Sequence, residues 1–165
     1  MKVIDNFLPE DDFQSIQHVL MGARIDWHYN SSVAFLEEKT NLCYFTHAFY
    51  DRNMPLSDFF TQGLLSPLLS KLQIEFFIRV KGNLYPSTEK IQYHSEHVDY
   101  PFKHKAALFS INTCDGETTI GKEKIKSVAN RVILFDGNIP HYSSTCTDQP
   151  ARININLNWL QPSEW

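Results

Sequence analysis

The sequence predicts a mainly β fold, a sandwich or double-sheet jelly roll, with N-terminal helices packed on one sheet. Three observations carry that prediction. From Phe76 onward, apolar and polar residues alternate in about eight short runs with the period of a pleated strand. Turn-forming clusters part several of these runs: Tyr85-Pro86-Ser87, Cys114-Asp115-Gly116, Asp136-Gly137-Asn138 and Asp148-Gln149-Pro150. Helical spacing is confined to the first 75 residues, so the helices precede the strands and are expected to buttress a sheet. The chain of 165 residues is read as one domain, with 1–75 as a helical flank and 76–165 as most of the β core.

Val3, Ile4 and Phe7 read as a short opening strand. Pro9-Glu10-Asp11-Asp12 then opens a helix, because proline suits the first turn and acidic residues suit its positive end. Phe13, Ile16 and Leu20 follow at helical spacing with Val19 beside them, and Gly22 is placed to stop the helix. His18 lies inside this helix and is read as exposed, and the isolated His28 and His47 are read as structural or exposed. Leu42–Tyr50 is apolar and aromatic enough for a strand, and the loop from Asn30 to Asn41 before it is a candidate lid. Asp51-Arg52-Asn53-Met54-Pro55 reads as a loop and Ser57 as the cap of a short helix through Gln62. Ser66 and Pro67 read as N-cap and first position of another helix, burying Leu68, Leu69 and Leu72. The strands expected after it are Phe76–Leu84, Lys90–His94, Ala106–Ile111, Thr118–Ile120, Lys124–Val128, Arg131–Phe135, Tyr142–Thr147 and Arg152–Trp159.

The last of these strands has the sharpest pattern. Arg152, Asn154, Asn156 and Asn158 share one face, and Ile153, Ile155, Leu157 and Trp159 share the other. Asparagine is a poor strand former. The row is therefore either the solvated face of an edge strand or a polar cavity wall, where Arg152 would meet an anionic, dicarboxylic ligand.

Composition narrows the class. The net charge is −4 with no basic block, which argues against a nucleic-acid partner. Aromatic residues make up 13% of the chain and suit a β-rich core or a lined cavity. Cys43, Cys114 and Cys146 are odd in number and far apart, which argues against a disulfide framework and suits a reducing cytoplasm. No secretory leader is evident at the N-terminus, and the most apolar run, near Leu64–Leu72, is too interrupted to span a membrane. A soluble cytoplasmic protein is expected.

Tyr93-His94-Ser95-Glu96-His97-Val98-Asp99 concentrates two imidazoles and two carboxylates. If the stretch is a strand, His97 and Asp99 project together, and His94 and Glu96 project together on the other face. His97-x-Asp99 supplies two thirds of the 2-His-1-carboxylate set that leaves open positions on non-haem Fe(II), and His94 with Glu96 is the competing pair. His141, after Asp136-Gly137-Asn138-Ile139-Pro140, is the candidate third ligand, and Arg152 follows it eleven residues later.

The order His97-x-Asp99, His141, Arg152, with Asn130-Arg131-Val132-Ile133-Leu134-Phe135-Asp136-Gly137 leading into His141, resembles the Fe(II)- and 2-oxoglutarate-dependent dioxygenases. The nearest resemblance is to their prolyl-4-hydroxylase-like branch, including its small bacterial and phage members, and Val3-Ile4-Asp5-Asn6-Phe7-Leu8 resembles the usual opening of that branch. The resemblance implies a double-stranded β-helix with iron on His97, Asp99 and His141, and Arg152 on the distal carboxylate of 2-oxoglutarate. It implies hydroxylation of a peptidyl (including prolyl) or small-molecule substrate with O2, releasing succinate and CO2, and is compatible with a phage-encoded protein acting in a bacterial host. Asn83-x-Tyr85 resembles the Asn-x-Tyr of AlkB-type demethylases, so Asn83, Tyr85 and also Asn154 are candidate co-substrate contacts. AlkB-type enzymes carry a second arginine six residues after the first and an acid two residues after His-x-Asp; Asn158 and Pro101 stand there, which argues against nucleobase demethylation. The candidate substrate rim is Tyr93, His94, Tyr100, Phe102, His104 and Tyr142. A cupin-like metal enzyme without 2-oxoglutarate and a non-enzymatic jelly-roll binding module are the competing readings.

Overall fold

The structure, a computed structural model, describes residues 1–32 and 42–161, so most of the candidate lid at 30–41 lies outside the described residues. In chain order the elements are β1 (Lys2–Ile4), α1 (Glu10–Leu20), β2 (His28–Asn30), β3 (Tyr44–Asp51), β4 (Met54–Pro55), α2 (Asp58–Thr61), α3 (Ser66–Leu72), β5 (Phe76–Pro86), β6 (Lys105–Ser110), β7 (Glu117–Ile120), β8 (Glu123–Lys126), β9 (Arg131–Asp136), β10 (His141–Ser143) and β11 (Ala151–Leu160). The fold is mainly β, as the alternation predicts.

The strands form two antiparallel sheets. The major sheet runs β1-β9-β6-β11-β5-β3-β2, with β4 on β3, and the minor sheet runs β10-β7-β8. The first 75 residues are thus more than a helical flank, since β1 to β4 all join the major sheet. β11 is central, bonded to β5 on one side and β6 on the other, which overturns the edge-strand reading of its asparagine row. That row is buried: Asn154 and Asn158 are 0% exposed and Arg152 is 1% exposed.

Helices cover one face of the major sheet. Phe13, Ile16 and Leu20 of α1 and Leu68 of α3 pack with Phe49, Val80, Phe109, Ile153, Ile155 and Leu157 in one apolar core. Burying such side chains stabilises by about 2 kcal/mol each. On the opposite face, Ala106, Leu108, Ile133 and Phe135 meet Ile120 and Ile125 of the minor sheet. The alternation along β11 therefore sorts its apolar residues toward the helices and its polar residues between the sheets.

Several boundaries differ from expectation for local reasons. Ser57 accepts the Phe59 N–H and starts α2, as expected. The N-cap of α3 is Leu65, so Ser66 and Pro67 fall one place deeper than predicted. Gly22 is not left-handed; a Cβ there would lie 2.6 Å from the His18 carbonyl oxygen, so it is close backbone approach that requires glycine. Lys90–His94 is not a strand, and only the single bridge Tyr93–Ser144 forms there. The Gln92 N–H donates to the Thr145 hydroxyl instead of a carbonyl, which interrupts the ladder. Regular pairing of β10 with β7 stops at Ser143, short of the predicted Thr147, because the Glu117 N–H donates to the Ser144 hydroxyl.

Candidate metal centre

The metal-binding candidates converge. One ligand atom each from His97, Asp99 and His141 lie within 4.8 Å of one another, and the Asp99 Oδ2 to His141 Nε2 distance is 3.8 Å. The local geometry differs from the strand argument, because His97 to Asp99 lie outside any regular strand. An isolated bridge sets the approach: the His97 N–H donates to the His141 carbonyl at 3.0 Å, and the His141 N–H returns to the His97 carbonyl at 2.9 Å. That exchange brings the two rings to a centroid distance of 4.8 Å.

Both imidazoles are prepared as ligands. His97 Nδ1 lies 3.1 Å from the Ser95 carbonyl and His141 Nδ1 2.9 Å from the Ile139 carbonyl. A carbonyl only accepts, so each Nδ1 carries a proton, which leaves Nε2 as the nitrogen that a neutral ring offers to a metal. His141 Nε2 is buried without a hydrogen-bond partner, which fits a metal ligand. Burial pushes the His141 pKa below 6.5, outweighing the pull of Asp99, and so keeps the ring neutral. Two imidazole nitrogens and one carboxylate oxygen suit a divalent first-row metal such as Fe(II).

Asp99 is held by a frame that sequence reasoning missed. Arg79 Nη2 donates to its Oδ1 at 2.7 Å, and Asn158 and Asn156 donate to its Oδ2 at 2.9 and 3.2 Å. Burial alone would raise the carboxyl, but Arg79, His141 and the two amides hold it well below the ordinary carboxylate range. Since His141 is itself neutral near pH 7, Arg79 is the cation that counts. Arg79 stands opposite Asn158 in the β5–β11 register, so a guanidinium reaches this place from the neighbouring strand. A period-two signal for it was present: Arg79, Lys81, Asn83 and Tyr85 alternate along β5 toward the cavity.

Arg152 lies at the other end of the β11 row, opposite Tyr85. Nη1 donates to the Ser144 carbonyl at 3.0 Å, Nη2 donates to the Thr118 hydroxyl, and Nε has no partner. Among the described residues, no carboxylate forms an ion pair with it. Between Arg152 and the metal candidates lie Asn83 and Asn154, joined by an Asn83 Nδ2 to Asn154 Oδ1 bond of 2.9 Å, with Asn83 Oδ1 and Asn154 Nδ2 left over. Burial raises the Tyr85 phenol, against the pull of Ser143 and Arg152, so it stays a donor.

The other candidates separate from the site. His94 is buried with its ring 4.9 Å from that of Tyr85, whereas Glu96 is exposed, so the competing pair does not assemble. His104 is buried against Gly137, where a Cβ would fall 1.9 Å from its Nε2, and belongs to packing, not to a rim. Tyr100 and Phe102 stack at 5.3 Å, and Tyr93 meets Tyr142 at 5.9 Å. His47 bridges the Asp26 carbonyl and Ser57, a structural role. A surface groove of about 520 Å³, lined by Lys2, Lys71, Leu134 and Trp159, holds none of the metal candidates.

No family model and no curated protein matches the sequence. Solved structures do match the fold. A Pseudomonas putida prolyl-4-hydroxylase aligns with a TM-score of 0.63 at 12% identity, over 97% of this chain and 92% of that one. A Trichoplax adhaerens prolyl hydroxylase, solved with a hypoxia-inducible-factor oxygen degradation domain peptide fragment, aligns at 0.64 and 16% over 96% and 82%. A Burkholderia pseudomallei oxidoreductase of the 2OG-Fe(II) oxygenase family aligns at 0.64 and 12% over 94% and 82%. The fold is that of the prolyl-hydroxylase-like 2-oxoglutarate–Fe(II) oxygenases. In that oxygenase fold the two antiparallel sheets are the walls of a jelly roll, and the convergent His97, Asp99 and His141 lie between them. Among the described residues, no helix is long and apolar enough to cross a membrane.

Proposed function

We propose that the protein is an Fe(II)- and 2-oxoglutarate-dependent dioxygenase that hydroxylates a peptidyl, including prolyl, or small-molecule substrate. The observation that carries this reading is the convergence of His97, Asp99 and His141 within 4.8 Å, between the sheets, facing a wall that carries a buried arginine with no anionic partner among the described residues. Iron bound there would supply the oxidative chemistry, with 2-oxoglutarate and O2 consumed and succinate and CO2 released.

The chain's own residues bind, orient and exclude water. His97, Asp99 and His141 would hold the metal, and a set of three protein ligands would leave positions for co-substrate and oxygen. Arg152 would take the distal carboxylate of 2-oxoglutarate, since a buried guanidinium is costly until an anion meets it. Tyr85 and Asn154 would donate to the same ligand through the phenol and Nδ2, with Asn83 holding Asn154 through the bond between their amides. The stacked rings of Tyr44, Tyr85 and His94 keep water from this end of the cavity. The peptide found with the Trichoplax enzyme favours a peptide among the candidate substrates.

The test is an anaerobic titration of metal-free protein with Fe(II) and then 2-oxoglutarate, read by the visible charge-transfer band of the chelate. The band is expected in wild type, lost in His97→Ala, and weakened in Arg152→Leu. Iron binding without a band would favour a cupin-like metal enzyme, and no iron binding would favour a binding module.

A further inference from the structure

Lys81 is the one member of the polar β5 row without a hydrogen bond to protein among the described residues. It stands opposite Asn156, which touches Asp99, and opposite Ala48 of β3. Its Nζ lies 5.6 Å from the centre of the Tyr44 ring. Charge around it does not balance. Among the described residues, Arg79, Lys81 and Arg152 line a cavity wall to which one carboxylate, Asp99, is bonded. Of the nearby acids, Glu117 is taken by Lys124 and Lys126, and Asp51 lies opposite Arg79 at the end of β3. A divalent metal and the doubly charged 2-oxoglutarate would cancel one another. With Asp51 counted, one positive charge is left over among the described residues, and Lys81 is the cation that forms no ion pair or hydrogen bond with any of them.

We propose that Lys81 recognises a carboxylate on the substrate, so that the substrate class is a carboxylate-bearing molecule or an acidic peptide segment. This rests on the reading of His97, Asp99, His141 and Arg152 as metal and 2-oxoglutarate site. Lys81 acts in selecting substrate and not in the oxidation itself. The Tyr44 ring beside it supplies an apolar face for the rest of the bound group, and the ammonium remains protonated at neutral pH, although burial and then Arg79 lower its pKa to about 8.

The test uses trifluoroacetate as a minimal carboxylate probe, followed by fluorine NMR, on protein loaded with Mn(II) and 2-oxoglutarate. Trifluoroacetate is expected to bind wild type and trifluoroacetamide not to. Lys81→Met is expected to weaken trifluoroacetate by about tenfold, the worth of one charge-assisted contact, and Lys81→Arg to restore it. Equal binding to wild type and Lys81→Met, or no binding to wild type, overturns the proposal. So does a Lys81→Met protein whose affinity for 2-oxoglutarate falls by the same factor, because that marks a loss of overall cavity charge and not of a contact. If Mn(II) and 2-oxoglutarate fail to load but trifluoroacetate still depends on Lys81, the oxygenase reading falls and the carboxylate site stands.

Discussion

Replacing Lys81 with methionine is expected to stabilise the ligand-free protein. Burial, and then the charge of Arg79, lower the Lys81 pKa from 10.5 to about 8, against weaker pulls from Asp99 and Asp51. A drop of that size corresponds to about 3 kcal/mol favouring the neutral amine. Because solvent still reaches part of this half-buried side chain, about 2 kcal/mol is the working figure. The sign follows from proton uptake. Between pH 8 and 10.5 the unfolded chain holds a proton that the folded Lys81 gives up, so stability rises with pH there. The cost of the charged ammonium is fully present below pH 8. Methionine keeps an apolar stem beside Tyr44 and carries no charge. Urea unfolding of wild type and Lys81→Met should show a gain of about 2 kcal/mol at pH 7, shrinking toward zero near pH 10. Other lysines and tyrosines titrate in both proteins and cancel in the difference. A variant no more stable than wild type at pH 7, or a gain that does not change with pH, would mean that Lys81 is an ordinary solvated lysine and that no electrostatic cost is stored at the cavity wall.

Three further outcomes are expected. Arg79→Met leaves the buried Asp99 carboxylate without its cation and should cost about 3 kcal/mol in metal-free protein, with much of the loss recovered by Mn(II); thermal melts with and without the metal check this. Asn130→Ala removes two buried bonds to the Leu8 main chain, at 2.8 and 2.9 Å, and forces alanine to φ 60°, so a loss of about 3 kcal/mol is expected in urea unfolding. As pH falls through 6.5, the unfolded chain takes up a proton that folded His141 resists, so stability should decline from there and level off below the lowered pKa of His141; His141→Gln should remove that part of the slope in pH-dependent melts.

Much of the site was legible because its residues carry their chemistry with them. His97-x-Asp99, a later His141 and the Arg152 row are visible in the chain, and the two-residue period of β11 separates polar from apolar residues without any fold. Periodicity does not say which face is inside or whether a strand is central. The same alternation suits a solvated edge, and only pairing with both β5 and β6 buries Asn154 and Asn158. The irregular path of residues 90–99 was hidden for a related reason, since a Thr145 hydroxyl far along the chain takes the Gln92 N–H.

The sequence by itself determined which side chains are available and their local phase: two histidines and a carboxylate able to bind a metal, and one polar and one apolar face on the last strand. Only the tertiary structure decided that they meet, that Arg79 and the Asn156 and Asn158 amides clamp Asp99, and that Lys81 forms no ion pair among the described residues. The reason is physical. Donor type and strand period are properties of neighbouring residues, whereas the contacts of Asp99 join residues 20 to 59 positions apart. Those contacts depend on sheet order and register, which burial of the whole core selects among alternatives that share the same local pattern.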